Sequence, residues 1–82
     1  MLKITTKSIN HGAIALASGR AVEVIRQPAG RRALFLFEDT VEMHALIDAY
    51  EAGKPLPLPS KAILNARTEL FHQAKRVSLE GI

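Results

Sequence analysis

The chain contains three histidines, His11, His44 and His72, the side chains best suited to hold a metal or move a proton near neutral pH. Only His44 has an acidic residue at ligand spacing: Asp48 stands four positions on, one helical turn along the same face, with Glu51 beyond it. A protein metal site needs three or four such groups converging on one point. Three histidines on three separate segments do not supply that, so His44 and Asp48 are read as a solvated pair on a helix surface. Nucleophilic chemistry has less support still. There is no cysteine, Ser8 and Ser60 stand where helix caps are needed, and the chain has no G-x-S-x-G, no H-E-x-x-H and no phosphate-cradling glycine loop. The expectation is a protein with no catalytic residue, no metal and no cofactor.

Charge carries a stronger signal. In "VIRQPAGRRALFLFEDT" (24–40), Arg26, Arg31 and Arg32 surround a turn between two apolar runs. Residues 1–37 hold six basic side chains against Glu23 alone, residues 38–53 hold five acidic ones and no base, and residues 54–82 hold five basic against two acidic. Guanidinium forks suit phosphate, and a two-stranded ribbon can enter a groove. The leading expectation is therefore a small binding module that contacts nucleic acid through Arg26, Arg31 and Arg32, with Lys7 and Arg20 as secondary contacts. Against it, the chain has too few aromatics for a base-stacking platform: Phe35, Phe37, Phe71 and Tyr50 all fall in apolar stripes. The arginines also have a plain alternative role in keeping an exposed turn soluble. A second functional expectation is a protein-interaction adaptor or inhibitor that works through the acidic segment by Glu42, Asp48 and Glu51. On either reading the chain is expected to form a homodimer, through Leu34 and Leu36 of the sheet or through its last helix.

The elements that must position these residues are short. Eighty-two residues, 48% of them hydrophobic and 23% charged, make one domain (1–82) with a thin core. The lack of cysteine suits a reducing compartment. The apolar runs "AIALA" and "ALFLF" are too short to span a membrane, and the N-terminus lacks a signal-peptide core, so the expected location is cytoplasmic.

"LKIT" (2–5) alternates as an edge strand does. Ser8 caps a helix with Ile9, Ala13, Leu16 and Ala17 on one face, and Gly19 stops it. "AVEVIRQ" (21–27) and "RALFLFE" (32–38) form a hairpin whose turn is set by Pro28 and Gly30. The second of these strands is apolar on both faces, with Ala33, Phe35 and Phe37 one way and Leu34 and Leu36 the other, which marks a central strand covered twice. Asp39 and Glu42 read as a capping box for a helix with the stripe Met43, Leu46, Ile47 and Tyr50, stopped at Gly53. "KPLPLP" (54–59) is a stiff connector. Ser60 caps a last helix (60–78) with the stripe Ile63, Ala66, Leu70, Ala74 and Val77, and Leu64 and Phe71 lie at its margin. The fold class expected is α+β, in the order β-α-β-β-α-α, with a three-stranded antiparallel sheet of order 1-3-2. The connector gives the last helix the reach to cover the sheet's second face or a second protomer.

Three features, "TTKSINHGAIALASGR" for the first strand-to-helix unit, "LFLFEDT" leading into "LIDAYEAG", and the terminal amphipathic helix, resemble a small uncharacterised domain family of bacteria, phages and mobile elements. The resemblance covers most of the chain. It implies the same fold, a setting in phage or mobile-element biology and no assigned activity; Asn10, His11 and Gly12 stand out as individual to this sequence.

Overall fold

The computed structural model describes residues 2–27 and 33–80. The chain runs β1 (Lys3–Thr6), α1 (Ile9–Ala17), β2 (Glu23–Arg26), β3 (Ala33–Glu38), α2 (Val41–Glu51) and α3 (Ser60–Glu80). The strands form one antiparallel sheet with β3 at its centre, order β1-β3-β2. This is the α+β arrangement expected from the doubly apolar character of β3. The turn assigned to Pro28 and Gly30 lies outside the described residues.

Local chemistry sets most helix ends. The Ser8 hydroxyl oxygen accepts the His11 N–H at 3.2 Å and starts α1. Gly19 and Gly53 adopt positive φ, 92° and 71°, which ends α1 and α2 without the steric cost a Cβ would bring. In each case the next two N–H groups turn back onto the helix: Gly19 and Arg20 donate to Leu16 and Ala15, and Gly53 and Lys54 donate to Tyr50 and Ala49.

Two caps differ from expectation. Thr40, not Asp39, caps α2, its Oγ1 accepting the Met43 N–H at 3.1 Å. Asp39 is still tied to the sheet, because its N–H donates to the Leu2 carbonyl at 3.1 Å. The helix therefore starts one residue later, and Glu42 falls at its second position instead of the third, so no capping box forms. Ser60 is itself the first residue of α3, and the Pro59 carbonyl accepts from Ala62 and Ile63. That helix also runs on to Glu80, past the expected end at residue 78.

The core has two clusters sharing one face of the sheet. In one, Phe35 meets Ala13 of α1 and Ala66 and Leu70 of α3; in the other, Phe37 meets Ile14 and Ala15 of α1 and Met43 of α2. Phe37, Ile14, Met43 and Leu70 are essentially solvent-free, and each such side chain contributes about 1.5–3 kcal/mol of burial. Helix α1 lies between the clusters, and Gly12 lets it approach closely: a Cβ there would stand 3.0 Å from Leu70 Cδ1 and 3.3 Å from Phe35. The connector joins in packing as well as spacing. Pro55, Pro57 and Pro59 are exposed while Leu56 and Leu58 are half-buried against the Phe37 cluster. This alternation brings α3 back beside α1, on the face already covered. The reach expected to carry α3 to the sheet's second face is thus not used, and among the described residues no helix lies over Leu34 and Leu36.

Candidate interaction surface

Directly opposed residues of an antiparallel pair project to the same side of a sheet. The register sets Leu36 against Thr5 and Glu23, Leu34 against Ile25, and Glu38 against Lys3. Ile25, Leu34 and Leu36 therefore form an apolar centre on the outer face, with Thr5 beside it and Lys3, Glu23 and Glu38 towards one end. Across this end, Lys3 Nζ lies 3.4 Å from Glu23 Oε2, the two side chains 53% and 56% exposed. The pair joins the two edge strands over the top of β3. At that exposure the contact contributes less than about 1 kcal/mol to the fold.

Beside the pair, Lys3, Arg20, Glu23, Leu36 and Glu38 line a shallow cavity of about 210 Å³. Ligand pockets usually begin near 300 Å³. The cavity is of a size to take a single side chain from a neighbouring surface. Its walls carry two cations and two anions, so the rim is close to neutral.

The residues expected to bind nucleic acid do not all meet. Arg26, opposite Ala33, and Lys7, just after β1, are exposed at the end of the sheet that leads into the hairpin connection. Arg20 precedes β2 and sits at the other end, in the wall of the cavity. Arg31 and Arg32 lie outside the described residues. The acidic set on α2 is also dispersed. Glu42 and Glu51 are nine positions apart, which is about half a turn round the helix, and Glu51 is engaged by His11, with Oε1 2.5 Å from Nε2. Asp48 is exposed. His44, expected to pair with Asp48, pairs with Asp39 instead at 2.6 Å, because the cap at Thr40 leaves the Asp39 side chain beside the first turn.

Asn10 and His11, which the sequence offers no role, tie the helices together. Asn10 Oδ1 accepts from Arg67 Nε of α3 at 3.1 Å, and the His11 ring stands edge-on to Tyr50 of α2 at 5.8 Å. Their partners Glu51 and Arg67 are 40 and 57 positions away in the chain, beyond the range of any spacing rule. Among the described residues no group of three or more His, Cys, Asp or Glu side chains could hold a metal ion, and no helix is long and apolar enough to cross a membrane.

No family model, curated protein or solved structure matches the chain. Its function has to be argued from its own geometry.

Proposed function

We propose that the chain is a non-catalytic interaction module whose working surface is the outer face of its sheet, and that a folded protein surface covers that face. The observation that supports this reading is the position of Ile25, Leu34 and Leu36, which project from the side of the sheet opposite both core clusters. An antiparallel sheet with one solvated face alternates apolar and polar residues, whereas "ALFLF" is apolar on both. A near-neutral rim round an apolar centre matches another protein better than a polyanion, which would favour cations alone. The small cavity, with Lys3 and Glu23 of its wall paired to each other, favours binding over catalysis.

The reading is tested by the double substitution Leu34→Glu and Leu36→Glu, followed by light scattering and by fluorescence of a dye that lights up on exposed apolar surface. Wild-type protein should either self-associate or bind the dye, and the variant should do neither while keeping its helical circular dichroism. A wild-type chain that stays monomeric and leaves the dye dark would contradict the proposal.

A second reading has one observation in its favour. Lys7 and Arg26 are exposed at the same end of the sheet, and Arg31 and Arg32 follow in the connecting segment of the chain. We propose this end as a secondary, sequence-independent phosphate contact. Binding to mixed DNA or RNA at low salt should weaken as salt rises and fall when Lys7 and Arg26 become alanine; indifference to both changes would remove this reading.

A further inference from the structure

Helix α3 carries a flank that neither core cluster uses. Leu64 and Phe71 stand seven positions apart, so they lie on one side of the helix, about 10 Å from each other along its axis. They are 62% and 58% exposed. The sequence sets Phe71 at the margin of the buried stripe, which leaves no ring for stacking. In the structure that ring is open to solvent, and the exposed His72 ring stands beside it, edge-on, with centroids 6.3 Å apart.

Residues three or four apart adjoin on a helix surface. Lys61, three before Leu64, and Lys75, four after Phe71, are therefore neighbours of this pair. Lys61, Thr68 and Lys75, at successive intervals of seven, make a second exposed row beside it. On the far side of Leu64 and Phe71, Arg67 is turned to α1, its Nε donating to Asn10 Oδ1 at 3.1 Å. Glu69 lies more than a third of a turn from Leu64 and accepts from Gln73 Nε2 at 3.1 Å. One row is thus apolar and aromatic, and the row along one side of it is cationic.

We propose that this flank of α3 binds single-stranded nucleic acid, with bases stacking on Phe71 and His72 against Leu64 and phosphates running along Lys61 and Lys75. The site is separate from the outer face of the sheet and from the sheet end at Lys7 and Arg26. The one-sided placement of charge favours this occupant. A strand carries its phosphates along one edge and its bases along the other, whereas an anionic bilayer surrounds an inserted side chain with headgroups and rewards cations on every side. A duplex hides the faces of its bases, so it meets the lysines and gains nothing from the ring of Phe71. Stacking and phosphate contact are blind to base identity and to the sugar, so DNA and RNA strands bind alike, with affinity that falls as salt rises.

Fluorescence anisotropy of labelled oligothymidine, oligouridine and a hairpin duplex at low salt tests this, with circular dichroism to confirm that each variant folds. The wild type should bind both strands with similar affinity and the duplex more weakly. Phe71→Leu keeps an apolar side chain but removes the ring, and should weaken strand binding about tenfold, the loss of one stacked base; Phe71→Tyr, which keeps a ring, should bind as the wild type does. Lys61→Ala with Lys75→Ala should lower the slope of log affinity against log salt by about 1.4, the share of two phosphates on a single strand. No binding to either strand, or binding that Phe71→Leu and the double lysine variant leave unchanged, overturns the proposal. Loss confined to Lys7→Ala with Arg26→Ala also overturns it, by moving the contact to the end of the sheet. Competition by polyglutamate as effective as by unlabelled oligothymidine, or binding to anionic vesicles in place of both strands, overturns it in favour of an acidic segment or a lipid surface. None of these results bears on the outer face of the sheet, whose own test is separate.

Discussion

The two faces of the sheet are built from the same five-residue run, "ALFLF", and have opposite fates. Phe35 and Phe37 on the inner side are sealed by three helices and are no more than 3% exposed. Leu34 and Leu36, on the alternate positions, carry no helix among the described residues. Pleating alone separates a buried residue that holds the chain together from a half-buried one on the opposite face. In a domain of this size the available helices are enough for one face, and the inner face takes all of them: even the proline connector turns its leucines inward. The difference teaches that apolar character along β3 need not report one core: one side is packed by helices, and on the proposed function the other is the side that associates.

That contrast can be broken most sharply at Phe37. Phe37→Ala should lower unfolding free energy by about 3–5 kcal/mol, enough to unfold much of a small domain, whereas Leu36→Ala, measured by urea denaturation at low protein concentration, should cost well under half of that. Equal losses would show that the outer leucine is covered within the chain. The close approach of α1 gives the next effect. Gly12→Val forces a branched side chain against Leu70 and Phe35 and should destabilise by about 1–3 kcal/mol; an unchanged denaturation midpoint would mean that α1 has more room than the contacts imply.

Much of this was legible in the chain. Strand order followed from the double apolar pattern of β3, the inner stripe of α3 from its 3.6-residue spacing, and the ends of α1 and α2 from Gly19 and Gly53; the stripe expected for α1 missed the buried Ile14 and Ala15, because α1 packs into both clusters, and Tyr50 of the stripe expected for α2 is exposed. What was hidden depends on contacts distant in sequence. The side of the sheet taken by α3 is decided by Leu56, Leu58 and the packing of Leu70 on α1 and Phe35, none of which a local rule reaches. The Lys3–Glu23 pair spans 20 positions, and Arg20 parts from Arg26 because β2 carries them to opposite ends of the sheet. At Asp39 and Thr40 both residues are competent caps, and the backbone bond from Asp39 to Leu2 decides between them.

The last case yields a smaller prediction. Thr40→Ala should cost about 1 kcal/mol through the lost bond to Met43, and Asp39→Ala, which removes an exposed contact with His44, no more than a few tenths; thermal unfolding of the two variants side by side would expose a reversed order. Glu51→Gln should have an effect at least as small, since half of that pair is open to water, and a loss above about 1 kcal/mol would mark the His11 contact as a main tie between α1 and α2.

The central claim is that the outer face of the sheet is the surface at which this protein meets another. Methyl NMR over a dilution series and over a titration with the dye that reports exposed apolar surface tests it residue by residue. The account predicts that the methyl signals of Ile25, Leu34 and Leu36 shift in at least one of the two series while those of Ile14 and Leu70 in the core stay fixed. Shifts confined to Leu64 on the exposed flank of α3, or none in either series, would contradict it.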